Sequence, residues 1–290
     1  MLRGRRAGFL SVCAIVAGVA AVLAGCGGGS QAVAPDPVAA AAAKTQDAGA
    51  ARIRYTLALT APRLPGGTVR IKGNGVIDGT SGTADFDLGS ALGAADVPAG
   101  SSIREIYLKQ GDDYVVYLQL GALASRIPGG KKWLELDLSK LGKSAGIDLG
   151  RLMSGSQLQP TDVLSLLETE GAKIRKIGSE NVDGTLTTHY RVTVDPAKAL
   201  EAKGLTSPML AGIAAEMPSI PEDVWIGSDG RVRRIELAYG LQHQGKPMRM
   251  EMSMDIYDYG ADVTISAPPS NEVFDATQLA QQHVGNAFGN

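Results

Sequence analysis

Apolar and polar residues alternate along much of the chain after residue 50. In the first such segment Ile53, Tyr55, Leu57 and Leu59 occupy every second position. Since successive side chains of a β-strand point to opposite faces of a sheet, this period of two predicts strands with one apolar and one solvated face. The pattern recurs at Val69, Ile71, Ala84, Phe86, Leu88, Ile106, Leu108, Tyr114, Val116, Leu118, Leu120, Leu134, Leu136 and Leu138.

Short stretches rich in glycine and aspartate separate these segments. Asp78-Gly79 and Gly111-Asp112 each join two strand patterns, so we expect the neighbouring strands to pair as antiparallel hairpins. Strand patterns resume in the second half of the chain, at residues 172–182, 190–194, 224–226, 232–239 and 248–257. The pattern therefore predicts a long antiparallel sheet.

Gly73-Asn74-Gly75 interrupts the second strand pattern. The triplet resembles part of a dinucleotide-binding fingerprint, but it precedes a hairpin and not a helix. We therefore predict a bulge or a bend in the strand at this point.

Helices are predicted before and between the strands. Asp36-Pro37 suits the cap and first turn of a helix that runs to Ala48, and Gly49 suits its end; an alanine-rich linker is the alternative. Residues 138–171 combine short helices and loops, with a firmer helix that begins at Pro160. Shorter helices are expected at residues 195–204 and 208–217. The fold class is therefore α+β.

Four methionines share one predicted strand face near the C-terminus. Met248, Met250, Met252 and Met254 occupy alternate positions and make up half of the eight methionines of the chain. β-Branched residues are common on strands, whereas methionine is unbranched and adapts to irregular apolar shapes. The methionine row is therefore either the wall of a cavity for flexible ligands or a core face covered by helices.

The N-terminus has the three parts of a secretory signal. Arg3, Arg5 and Arg6 precede an apolar run over residues 9–23, and small residues follow. Leu23-Ala24-Gly25-Cys26 is typical of a lipobox, the processing site of bacterial lipoproteins, so we expect the mature chain to begin at Cys26 with diacylglycerol on its thiol. An ordinary signal peptide or a signal anchor is the alternative.

Composition and motifs point away from several functions. The net charge is -2, so no basic field would recruit nucleic acid. Cys13 lies in the signal and Cys26 would carry lipid, which leaves no cysteine for a disulfide or a metal site. The three histidines lack metal-ligand spacing, and we expect His189 to be solvated and His243 to lie in a turn. The chain has neither a G-x-S-x-G motif nor a phosphate-binding loop, and we expect no catalysis.

Three phrases in the second half carry a family resemblance: residues 184–195, 221–234 and 257–269. With the lipobox and the order of elements, they make the chain similar to the mycobacterial LppX/LprG lipoproteins and, more distantly, to LolA and LolB. The resemblance implies a curved antiparallel sheet, a half-barrel, with helices packed on its concave face. It also implies an apolar cavity for the acyl chains of lipids or glycolipids. The methionine row is not part of the family pattern.

These observations divide the chain into a signal peptide over residues 1–25, a flexible tether over 26–35, a lipid-binding domain over 36–275 and a polar tail over 276–290. We expect a lipid carrier on the extracytoplasmic face of the cell membrane, with an envelope transporter as partner and without cofactor or metal. A sensor or scaffold that binds a protein partner is the alternative, and a hydrolase with a Ser or Asp pocket is a third. The cavity candidates are Ile53, Tyr55, Leu57, Leu59, Val69, Ile71, Val116, Leu118, Leu134, Leu136, Met248, Met250, Met252 and Met254.

Overall fold

One large open sheet dominates the structure. The computed structural model describes residues 37–62, 64–79, 81–87, 102–111, 113–144, 173–195, 197–198, 201, 211–212, 214–215, 219–243 and 246–288. The strands are β1 Ala51–Thr60, β2 Thr68–Asp78, β3 Ser81–Asp87, β4 Ser102–Gln110, β5 Asp113–Gln119, β6 Trp133–Asp137, β7 Lys173–Val182, β8 Thr185–Val194, β9 Ile220–Gly227, β10 Val232–His243, β11 Lys246–Tyr257 and β12 Val273–Asp275. The helices are α1 Pro37–Gln46, α2 Leu138–Ser144 and α3 Thr277–Phe288.

The strands lie in the order β12-β6-β5-β4-β3-β2-β1-β11-β10-β9-β8-β7. All neighbours are antiparallel except β12, which runs parallel to β6. The predicted fold class is confirmed: this is a large, open, almost entirely antiparallel sheet with few helices among the described residues. The pairing of β1 with β11 joins the two halves of the chain at the centre of the sheet.

A bulge or a bend was predicted at residues 73–75, and the bulge is wrong. β1 and β2 pair without a register shift, with Tyr55 opposite Gly73 and Ile53 opposite Gly75. The ring of Tyr55 crosses Gly73, and its hydroxyl donates a 3.0 Å hydrogen bond to the carbonyl oxygen of Asp85 on β3. A Cβ on Gly73 would lie 2.2 Å from the Tyr55 oxygen. The glycine therefore makes room for a side chain.

The main core lies on one face of the sheet, here called the apolar face. It contains residues of β1 to β5 and β8 to β11, and the face is covered at one end by Val38 and Ala41 of α1. Leu138 and Leu141 of α2 pack against the same core. The predicted helix at 36–48 is thus present as α1, whereas Leu138 begins a helix and does not extend the preceding strand.

A second, smaller core lies on the opposite face of β4, β5 and β6. Its members are Ile106, Leu108, Val115, Tyr117 and Trp133, and Ile265 and Val273 pack against them. The expectation that these strands have one solvated face is wrong, because the chain that follows β11 returns across them. Strands that are buried on both faces need apolar residues at odd and at even positions.

The C-terminal residues that we expected to form a polar tail include helix α3. The buried hydroxyl of Thr277 accepts a 3.0 Å hydrogen bond from the backbone N–H of Asp137 at the end of β6. Asp195 accepts hydrogen bonds from the backbone N–H groups of Ala197 and Lys198, as the cap of the helix predicted there would. Residues 145–172, with the helix predicted from Pro160, lie outside the described residues, as does most of 196–218.

Candidate functional site

The methionine row lies at the centre of the apolar face. β11 is flanked by β1 and β10, and the register places Met252 between Leu57 and Leu237. Met254 lies between Tyr55 and Ile235 in the same way. The four thioether side chains therefore project from the middle of the sheet towards the main core. Their spacing predicted that they share one face.

The structure brings the sequence-predicted cavity residues onto this one face. Most of them belong to the main core or pack against it. Leu59 and Met248 lie on the same face, but both are half-buried and lie outside that core. The members of the core are Ile53, Tyr55, Leu57, Val69, Ile71, Val116, Leu118, Met252 and Met254, and the residues packed against it are Leu134, Leu136 and Met250.

Burial changes along the methionine row. Met254 is 6% exposed and Met252 is 9% exposed, whereas Met250 and Met248 are half-buried. The Tyr239 hydroxyl donates a 2.9 Å hydrogen bond to the sulfur of Met250. The row therefore runs from the closed interior of the apolar face to an end where its side chains reach solvent.

Two carboxyl groups interrupt the apolar face, and neither was among the predicted site residues. Glu105 of β4 pairs with Ala84 on one side and Leu118 on the other. Glu222 of β9 pairs with Val192 and Leu237, in the row of Met252. The sequence does indicate the position of Glu105. It stands two residues from Ile103 and two from Tyr107, so its side chain shares their face of the strand.

Both carboxyl groups are harder to ionise than an exposed glutamate. Burial raises the pKa of Glu105 to about 8. Burial, followed by the nearby charge of Asp223, raises the pKa of Glu222 to about 7. The cause is the loss of hydration of the charged form in apolar surroundings. At neutral pH the Glu105 side chain is therefore predominantly an uncharged acid.

The opposite face of β7, β8 and β9 carries an ordered polar cluster around His189. The expectation that His189 is solvated is wrong: its ring stacks on Trp225 with centroids 4.2 Å apart. Its Nε2 lies 2.7 Å from Oδ1 of Asp223, and its Nδ1 lies 3.2 Å from Oε1 of Glu180. Arg191 donates two hydrogen bonds to the Asp223 carboxylate, of 2.9 and 2.8 Å.

This cluster resembles a structural clamp more than a catalytic group. A general base needs a free nitrogen within reach of a substrate, and both ring nitrogens of His189 contact carboxylates. In the part of the chain that the structure describes, no three His, Cys, Asp or Glu side chains are placed to hold a metal ion. His243 ends β10 opposite Lys246, and Cys26 lies outside the described residues. None of the described helices is long and apolar enough to cross a membrane.

Comparison with known proteins finds two similar bacterial proteins, whereas no protein-family model matches the chain. The first is an uncharacterised 31.2 kDa protein from the rplA–rplJ intergenic region of Streptomyces griseus, 27% identical over 235 residues, which are 75% of this chain and 72% of the relative. The second, from Streptomyces coelicolor, is provisionally named a lipoprotein and is 25% identical over 81% of this chain and 72% of its own.

Solved structures with a similar arrangement include two lipoproteins. LppX of Mycobacterium tuberculosis is 16% identical and covers 80% of this chain and 100% of its own, with a TM-score of 0.39. LprF of Mycobacterium bovis is 14% identical and covers 81% of this chain and 99% of its own, with a TM-score of 0.36. The sequence similarity to the Streptomyces coelicolor protein named as a lipoprotein agrees with the resemblance that the sequence motifs predicted.

Proposed function

We propose that this protein is a membrane-anchored lipoprotein that binds the acyl chains of lipids or glycolipids on the apolar face of its sheet and carries or presents them in the cell envelope. The observation that carries the proposal is the methionine row. It occupies the centre of a large apolar face and runs from buried to half-buried side chains.

The chemistry of methionine suits such a ligand. An unbranched, polarizable side chain adjusts its shape to flexible alkyl chains, which branched side chains do less well. Each methylene removed from water contributes about 0.8 kcal/mol, so affinity would grow with the length of the buried chain. Binding of this kind needs no covalent step, in keeping with the His189 cluster, whose nitrogens both face carboxylates.

The N-terminal sequence supports the cellular setting of the proposal. A lipid on Cys26 would hold the domain at the extracytoplasmic face of the membrane, and the glycines after it would serve as a flexible tether. Two acyl chains suffice for stable anchoring, whereas a single chain binds only marginally. The apolar face would then work beside the bilayer that supplies its ligand, and an envelope transporter is the partner that we propose for it.

The test is lipid analysis of the full-length protein after expression in a bacterial envelope. We expect mass spectrometry of the wild type to detect co-purified acyl lipid in addition to the anchor. Met250→Asp should reduce this lipid at least fivefold, because a carboxylate in an apolar wall is poorly solvated. Met250→Leu keeps the wall apolar and should retain the lipid.

Thr56→Asp is the matched control, because it adds the same charge on the other face of the sheet, opposite Lys72 of β2. It should leave the bound lipid unchanged, and circular dichroism should show that all three variants fold. A wild-type protein without co-purified lipid would contradict the proposal. Recovery of a crosslinked protein partner in its place would favour the sensor or scaffold.

A further inference from the structure

Glu105 lies inside a transverse row of apolar and small residues. The register places Leu118, Glu105, Ala84 and Gly75 side by side on β5, β4, β3 and β2. Glu105 is 3% exposed, and its Oε2 atom has no hydrogen-bond partner among the residues that the structure describes. A carboxyl group in this position has left water without gaining a protein partner for that oxygen.

Such a group is costly to the folded protein. Nearly all buried polar atoms of native proteins have a hydrogen-bond partner, so an exception calls for an explanation. A leucine at this position would pack against Leu118 without any polar atom to satisfy. The presence of a carboxyl group therefore points to a partner beyond the residues that the structure describes.

Small residues lie beside Glu105 on the apolar face, at Ala84 and Gly75. Over Gly73 and Gly82, the rings of Tyr55 and Tyr107 fill the positions where a Cβ would project. Over Gly75, which lies in the Glu105 row, the atoms nearest to that position are backbone atoms of β3. The row that contains Glu105 is thus flanked on the apolar face by the rings of Tyr55 and Tyr107.

We propose that the Glu105 carboxyl group donates a hydrogen bond to an ester carbonyl oxygen of the acyl lipid bound on the apolar face. This inference rests on the proposed function and adds to it a specificity-determining residue. An ester oxygen is an acceptor without a proton of its own, so the bond requires the protonated form of Glu105.

The surroundings of Glu105 favour that form. Burial raises its pKa to about 8. The tyrosines that face it, Tyr55 and Tyr107, have pKa values raised by burial and then by charged or titratable neighbours, so both are neutral there.

Tyr114 of β5 and Lys109 of β4 share the apolar face, and the Lys109 ammonium lies over the Tyr114 ring. Lys109 is about 13 Å from Glu105 along the strand, too far to replace the missing partner.

The experiment compares an acyl ester with a hydrocarbon of the same chain length that lacks the ester. Full-length protein in detergent is loaded with radiolabelled methyl oleate or with octadecane, and the retained label is measured at pH 6.5 and 9.5. For the wild type we expect methyl oleate binding to weaken about 3- to 10-fold at pH 9.5, because an ionised Glu105 no longer donates. Octadecane binding should not change.

Two variants separate the hydrogen bond from the fold. Glu105→Gln retains a donor and should bind methyl oleate at both pH values. Glu105→Leu should bind it about 3- to 10-fold more weakly than the wild type at pH 6.5 while retaining octadecane. Its melting temperature should equal or exceed that of the wild type, since an apolar side chain replaces an unpaired polar one.

The outcomes are distinct. Equal methyl oleate binding by Glu105→Leu and wild type would overturn the inference, as would an equal loss of both ligands. A lower melting temperature of Glu105→Leu would assign the residue a structural role instead. A wild type that retains neither ligand would overturn the proposed function itself.

Discussion

Tyr55 and Gly73 depend on each other across the β1–β2 pair. The tyrosine ring crosses the glycine and packs beside Phe86 with ring centroids 5.0 Å apart. A phenol placed this way fills the gap that a glycine leaves in a sheet. Its hydroxyl group also donates a hydrogen bond to a backbone carbonyl oxygen of β3. An aromatic side chain thus covers a stretch of the apolar face that sequence alone marked as irregular.

Gly73→Ala should lower the free energy of unfolding by about 1–3 kcal/mol, because the new Cβ would meet both the Tyr55 ring and the backbone of β3. Urea unfolding followed by circular dichroism measures the change. Gly240→Ala is the control, since the nearest atom to its new Cβ lies 3.8 Å away. We expect it to stay within about 0.5 kcal/mol of the wild type. Equal effects of the two substitutions would contradict this account.

Strands β7, β8 and β9 are held together by side chains as well as by their backbones. Trp225 of β9 donates a hydrogen bond from Nε1 to Glu180 of β7, so the contact spans β8. His189 stacks beneath this contact, and Asp223 receives hydrogen bonds from His189 and Arg191. β7 is an edge strand of the sheet, and side-chain links of this kind help to keep an edge in register.

Asp223→Asn should destabilise the protein by about 1–3 kcal/mol at pH 7, since charge-assisted hydrogen bonds are lost at a side chain that is only 18% exposed. Partial burial raises the pKa of Asp223, but hydrogen bonds from Arg191 and His189 outweigh it and leave the pKa below 3.8. The ionised form therefore stabilises the fold above that value, and the stabilisation is lost as the pH falls through the folded-state pKa.

Urea unfolding of wild type and Asp223→Asn between pH 7 and pH 3 tests both statements. The difference between them should shrink only below about pH 4. Asp262→Asn, at an exposed aspartate outside the strands, should match the wild type at every pH. An Asp223→Asn variant as stable as the wild type at pH 7 would show that the cluster adds nothing.

At the scale of the whole molecule, the central pairing of β1 with β11 makes one sheet out of two halves of the chain. The apolar face therefore extends from β6 to β8, and one core cluster of described residues crosses it. A ligand of acyl-chain length matches a face of this extent better than a small polar molecule does.

Cys26→Ser should abolish the incorporation of radiolabelled palmitate into the full-length protein expressed in a bacterial envelope, because the thiol that would carry the lipid is lost. Cys13→Ser changes the other cysteine of the chain, inside the signal, and should retain the label. A wild-type protein without label would point to an ordinary signal peptide or a signal anchor in place of a lipid.

Much of the fold was predictable and part of the site was not. The period of two identified β1, β2, β5, β10 and β11 and the shared face of the methionine row. It did not identify β12, because a strand of three residues has no measurable period. It also missed the second core on β4 to β6, since alternation shows which residues share a face but not what covers the other one.

The amino-acid sequence by itself determined which side chains stand together on each strand, because the backbone geometry of a strand imposes that alternation on any residue. Only the tertiary structure decided which strands are neighbours. Ile53 lies beside Ile256 because the apolar faces of distant segments are buried together, and no local pattern specifies such a pair. The same packing removed Glu105 from water, and so turned an ordinary strand residue into a buried acid.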